Sequence, residues 1–151
     1  VKLARVSVVF LWLLTLSVFA QTAAQPTLPT LPLTIGKTKV TAEVCDEPAE
    51  RETGMMFREK LEGDNGMLFV MPAPAPAGFW MHNTLIPLSI AYIDPRGVIL
   101  EIHEMKAKDE SIVKSGYRNV AYALEMPKGW FDSKSIMAGD VVRGLPPLTG
   151  R

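Results

Sequence analysis

Residues 66–94 read GMLFVMPAPAPAGFWMHNTLIPLSIAYID, and this stretch decides the fold. It is apolar and aromatic almost throughout. Prolines at 72, 74 and 76, the polar triplet His82-Asn83-Thr84 and Pro87 interrupt it. Residues 67–71 have the length and composition of a buried strand. Pro72, Pro74 and Pro76 lack an N–H and fix φ, which predicts an ordered loop rather than a central strand or helix. Residues 79–82, if extended, put Phe79 and Met81 on one face and Trp80 and His82 on the other. Residues 88–93, the turn Asp94-Pro95-Arg96-Gly97 and residues 98–102 predict a β-hairpin, because β-prone flanks enclose turn formers.

The flanking sequence follows the same rules. Residues 39–45 alternate, with Val40, Ala42 and Val44 on one face and Thr41 and Glu43 on the other, which predicts a half-buried strand. Asp46-Glu47-Pro48 predicts a helix start with Asp46 as the cap. The helix is short, and Gly54 ends it or lets backbones approach. Residues 106–115 are polar and predict a surface loop. Residues 120–126 predict another strand, residues 127–135 a helical turn, and residues 136–143 a closing segment with Gly139-Asp140 as its turn. The expected fold is mainly β within an α+β description: a compact antiparallel sandwich or small barrel with one or two short helices.

Residues 1–20 carry Lys2 and Arg5 ahead of an apolar run over 6–19, and small residues precede a cut after Ala20 or Ala24. This is the design of a secretory signal peptide. The run is shorter than the ~20 residues that span a bilayer, so no stable membrane span is expected after its removal. Residues 21–32, QTAAQPTLPTLP, predict an extended Pro/Thr-rich linker. The single domain is expected over 33–146, followed by a short tail at 147–151. Loss of Lys2 and Arg5 would leave 14 basic against 16 acidic residues. No basic run remains, so the electrostatic footprint of nucleic-acid binding is missing. Cys45 is the only cysteine, which excludes an intramolecular disulfide. A lone cysteine is most often a small buried residue.

Several ordered motifs then carry a resemblance: GMMFR (54–58), GMLF (66–69), FWMHNT (79–84), IPL (86–88), AYALEMPKG (121–129) and AGD (138–140). The chain resembles domain-of-unknown-function family 192, found in exported bacterial and archaeal proteins. The resemblance covers about residues 35–143. It implies a compact, mostly β fold and no accepted catalytic residue. Two positions depart from the family pattern, which usually has Lys or Arg where His82 stands and Asp where Ser89 stands. A charge pair formed by those residues in relatives would be absent here.

Four chemistries can be weighed. Trp80 beside His82, Asn83 and Thr84 offers an aromatic platform with hydrogen-bonding groups, as a sugar or peptide site would use. The same Asn and Thr also suit a tight turn, with Trp80 packed. His82, Glu101, His103 and Glu125 are usable metal ligands, and Met55, Met56, Met67, Met71 and Met81 are usable for Cu(I). No HExxH or other ligand motif groups them, and methionine is also an adaptable core filler. No metal or other cofactor is therefore expected. Asp94, Glu101 and Glu125 are candidate acid/base groups, but no nucleophile elbow or Cys–His signature accompanies them. The reading is an exported, periplasmic or secreted, non-catalytic binding or accessory module of the cell envelope. Its expected ligand site is Trp80, His82, Asn83 and Thr84, with Arg58 and Glu125, facing an envelope ligand or protein. The competing readings are a hydrolase of an envelope polymer and a copper- or zinc-handling protein.

Overall fold

The apolar strand of 67–71 lies at the middle of a seven-stranded sheet. A computed structural model describes residues 22–148. The segment expected as a signal peptide, within residues 1–21, and the last residues of the tail, 149–151, lie outside the described part. In chain order the elements are β1 (Thr30–Ile35), β2 (Thr38–Cys45), α1 (Pro48–Thr53), β3 (Asn65–Ala75) and β4 (Gly78–Phe79). Next come β5 (Leu88–Ile93), β6 (Ile99–Met105), β7 (Val113–Lys114), β8 (Val120–Pro127), α2 (Trp130–Ser133) and β9 (Val142–Arg143). The large sheet has the order β6-β5-β8-β3-β2-β1-β9, and β4 and β7 form a separate two-stranded ribbon. The sheet curls into a half-barrel, so the mainly β fold expected from the sequence is the fold observed.

One pairing departs from the antiparallel expectation. β2 and β3 run parallel, with Val44 opposite Leu68 and Cys45 opposite Phe69. A parallel pair cannot be closed by a tight turn and needs a crossover. The connection carrying α1 supplies it. The cap of α1 is Glu47 rather than Asp46: Glu47 and Glu50 form a reciprocal capping box, and Pro48 occupies the first turn. At the other end the Gly54 N–H returns to Glu50 O at 2.8 Å. Gly54 has φ +48°, and a Cβ there would lie 3.0 Å from Phe69 Cζ. The glycine therefore meets both needs the sequence suggested, a helix end and a close approach.

Three further boundaries differ from expectation. β1 begins at Thr30, within the stretch predicted as linker, because Thr30, Leu31 and Pro32 pair with Glu43, Ala42 and Thr41. Upstream of it, Gln25 Nε2 donates to Gly54 O at 2.9 Å and Leu28 N donates to Glu43 Oε2 at 2.8 Å. The prolines of 72–76 do not end β3. Its ladder with β8 instead slips between Val70 and Ala75, where N–H donors are missing. The loop expected over 106–115 contains β7, which pairs with β4.

The middle strands are buried on both sides, and alternation divides their side chains between two cores. Leu68, Val70, Ala91, Ile93, Leu124 and Met126 join Trp130, Phe131 and Ile136 in the first. Met67, Phe69, Leu88, Ile90, Tyr92 and Ala123 join Met55, Met81 and Cys45 in the second. The first face is covered by α2 and the closing segment. The second is covered by the ribbon, with Phe79 and Val113 packed against that core. Tyr92 OH donates to Val113 O at 2.6 Å and ties ribbon to sheet.

Candidate functional site: a cavity over Glu125

Glu125 stands on β8 between two apolar neighbours. Its register partners are Met67 on β3 and Ile90 on β5, both in the second core. Period two sends its side chain to the face that also holds Ala123. It is 4 % exposed. Its Oε2 has no hydrogen-bond partner among the described residues. Burial pushes its carboxyl up to about 8, since an apolar surrounding disfavours the charged form.

A cavity of about 150 Å³ opens beside this carboxyl. Arg51, Glu52, Thr53, Gly54, Met55 and Met56 line it from α1 and the following turn. Phe69 contributes from β3, and Gly78, Phe79, Trp80 and Thr84 from the ribbon and the loop after it. Phe69 and Phe79 meet edge to face, with centroids 4.8 Å apart. Trp80 is 48 % exposed at the rim. An adjoining apolar trough shares Arg51, Glu52, Phe69, Gly78 and Phe79 and continues along Met71 and the prolines at 72 and 76.

Of the six predicted site residues, the fold brings three to this cavity: Trp80, Thr84 and Glu125. The other three do not line it. His82 stacks outside Trp80, with ring centroids 4.8 Å apart, and its Nδ1 lies 2.7 Å from Glu110 Oε1. Asn83 adopts φ +52°, and its carbonyl accepts from Phe57 N at 2.9 Å. Together with the Thr84 N–H to Met81 O bond at 3.1 Å, this is the tight turn the sequence allowed. Arg58 pairs with Glu43 at 2.8 Å, against the segment upstream of β1.

The two positions that depart from the family pattern have separate partners. Ser89 is fully buried on β5, donates to Glu104 Oε1, and accepts from Gly129 N at 2.8 Å. His82 has Glu110. The remaining acidic candidates are engaged elsewhere. Asp94 Oδ1 accepts from Arg96 N and Val98 N and holds the hairpin turn, and these bonds keep its carboxyl below the usual range although burial opposes them. Glu101 accepts from Gly116 N at 2.8 Å and pairs with His103 at 3.3 Å. Among the described residues, no group of three His, Cys, Asp or Glu is placed to hold a metal ion. Met55, Met67 and Met81 are buried packing residues of the second core. Cys45 is buried there too, and burial first, then the nearby Glu125, pushes its thiol up, so it is inert rather than nucleophilic.

Sequence reading missed Arg51, Glu52, Phe69 and Phe79 as lining residues. One signal for the site was present: Glu125 is the only charge in VAYALEMP, a run that otherwise has no reason to carry one.

The chain is similar to known proteins along most of its length. Residues 31–144 match the family described as DUF192, Uncharacterized ACR. A solved structure from Sinorhizobium meliloti, described provisionally as a transcription regulator, superposes with a TM-score of 0.76 at 30% identity, over 80% of this chain and 98% of that one. A protein of unknown function from Novosphingobium aromaticivorans gives 0.73 at 30% identity, over 83% of this chain and 94% of its own. No curated protein matches the sequence significantly. Among the described residues, no helix is long and apolar enough to cross a membrane.

Proposed function

The chain belongs to the DUF192 family, whose biochemical role is not established, and from that premise we propose that it is an exported, non-catalytic binding module of the cell envelope. Its ligand enters the cavity under Trp80. The observation that carries this reading is the buried Glu125 carboxyl with an unpartnered oxygen at the cavity wall. Such a group costs folding free energy where it stands. Ligand binding is a use that accounts for its presence. The exposed Trp80 ring at the rim supports the same reading, because an amphipathic aromatic is a common anchor for a ligand or partner. Export rests on the basic, apolar and small-residue pattern of residues 1–24. With 16 basic and 16 acidic residues and no basic run in the sequence, the chain lacks the electrostatic signature of a nucleic-acid-binding regulator.

A thermal-shift screen of small envelope-type molecules tests the proposal. A ligand of the native state raises the melting point by mass action. The shift should shrink in Trp80→Ala and change in Glu125→Gln. Cell fractionation and N-terminal sequencing test export: a mature end at Gln21 or Gln25 in the envelope supports it, and an intact cytoplasmic chain refutes it.

A hydrolase of an envelope polymer is the second reading, and one observation favours it. Glu125 is held protonated near neutral pH while Glu52 lines the same cavity. Glycoside cleavage uses an acid and a second carboxylate in this way. Turnover of an envelope glycan that is lost in both Glu125→Gln and Glu52→Gln would replace the binding reading.

A further inference from the structure

Building on the binding reading above, we propose that the Glu125 cavity receives the alkylammonium group of a small organic cation, held by the Glu125 carboxylate against Phe69, Phe79 and Trp80. The polar inventory of the wall points to a cation. Thr84 Oγ1 donates to His82 O and Thr53 Oγ1 donates to Ala49 O, so both hydroxyl protons are turned into the protein. Arg51 Nη1 donates to the carbonyls of Asp46 and Val70, which fixes the guanidinium against backbone. Acceptors and aromatic rings remain: Glu125 Oε2 without a partner, Glu52 at the rim, and three aromatic residues. Aromatic rings beside a carboxylate are the surroundings in which an ammonium is held, through the ring quadrupole and the opposite charge. An anion would gain nothing from a protonated Glu125, would face the Glu52 carboxylate at the rim, and would find Arg51, the one basic residue of the lining, already turned onto backbone carbonyls. The volume, about 150 Å³, is that of ~5 waters at ~30 Å³ each. It suits a small head group, and the apolar trough along the prolines at 72 and 76 can take a short tail.

A proton must leave when the cation arrives. Free Glu125 is pushed up to about 8 and is mostly protonated at neutral pH. A cation in contact favours the charged form, so binding at neutral pH ionises it and releases its proton to solvent. The other groups facing Glu125 do not substitute for it. Cys45 on β2 and Tyr92 on β5 are both pushed upward by burial first and then by Glu125, and remain neutral. Met67 and Ile90 flank it without charge. From α1 come Arg51, tied to backbone, and Glu52, exposed at the rim. Glu43 and Glu50 act on Cys45 from farther out. His82 lies beyond Trp80 and is paired with Glu110.

Choline is the probe, because its charge does not titrate, and 3,3-dimethylbutan-1-ol is its neutral counterpart. Calorimetry of the full chain in two buffers of different ionisation enthalpy should show close to one proton released per choline at about pH 7 and almost none at about pH 9.5. Affinity should rise about tenfold per pH unit up to about pH 8, and level off above it. The neutral alcohol should bind at least tenfold more weakly. Glu125→Gln, which preserves shape and removes the titrating group, should lose the proton release and at least tenfold in affinity. Trp80→Ala, a change at the exposed rim, should weaken choline several-fold. Choline binding without proton release, or an alcohol that binds as well as choline, would overturn the ammonium assignment. If choline fails while another molecule gives a Trp80-dependent thermal shift, the assignment falls and the binding reading stands. If no molecule in the screen binds, both fall.

Discussion

The two faces of the sheet are built from the same strands and closed in different ways. On the first, Leu68, Val70, Ile93, Leu124 and Met126 meet Trp130, Phe131 and Ile136, and the face is sealed by apolar packing. On the second, the strands contribute Met67, Phe69, Ile90 and Tyr92, but the cover of α1 and ribbon leaves a cavity, and β8 turns a carboxyl toward it. Both faces exclude water from β3, β5 and β8. The buried polar groups of the first face, Ser89 and the Tyr122 hydroxyl, are hydrogen-bonded, whereas the second carries a carboxyl oxygen without a partner among the described residues. The difference separates what the fold needs from what it merely tolerates. An apolar face stabilises, whereas a buried acid opposes folding and requires another reason for its presence.

The largest test of this contrast is the pH dependence of stability. Burial in the folded state pushes the Glu125 carboxyl from its ordinary value of 4.5 up to about 8. A carboxyl raised by folding destabilises the native state as pH climbs from the unfolded value to the folded one. Below about pH 4.5 both states hold the proton and there is no penalty. Above about pH 8 the penalty is complete, up to about 5 kcal/mol at ~1.4 kcal/mol per unit. Glu125→Gln should remove this slope. Denaturant unfolding should find it no different from wild type near pH 4 and more stable by several kcal/mol near pH 9. Curves that stay parallel across this range would refute the buried acid.

Phe131→Ala tests the sealed face, where Phe131 is fully buried. It should cost about 3–5 kcal/mol, while Phe79→Ala, at the cavity wall, should cost clearly less. Equal losses would erase the distinction between the faces. Gly66→Ala probes the seam where β3 meets β8. A Cβ there would clash with Met126 Sδ and lie 2.7 Å from Glu125 O. Overpacking of this kind costs about 1–3 kcal/mol, read as a lower unfolding midpoint with unchanged slope. Trp80→Ala should be the mildest, within about 0.5 kcal/mol in stability, because half the ring is already in water. Its effect should appear in ligand binding instead.

Much of the fold was legible because its signals are local. The alternation of Val40, Ala42 and Val44, the turn at 94–97 and the Gly54 helix end all depend on near neighbours in the chain, and each formed as expected. The proline stretch was half legible. The missing N–H groups do break the ladder, but the strand resumes at Ala75 opposite Val120. The site was less so. Trp80, Thr84 and Glu125 were chosen for their chemistry, and they meet only because the ribbon folds back over β8. Arg58 looked like a candidate, but Glu43 takes it elsewhere. Arg51 and Glu52 escaped notice because surface charges on a short helix are ordinary.

By itself, the sequence determined that this is a mainly β domain with short strands, one or two brief helices, a hairpin over 88–102 and a single cysteine without a disulfide partner. Period-two patterning, proline stereochemistry and turn residues act over a few residues, so they can be read directly. Tertiary structure alone decided the parallel pairing of β2 with β3, the division of side chains between two faces, and the joining of α1, β3, the ribbon and β8 around one carboxyl. Those outcomes depend on strand partners far apart in the chain, and no local pattern records which distant strand will lie alongside.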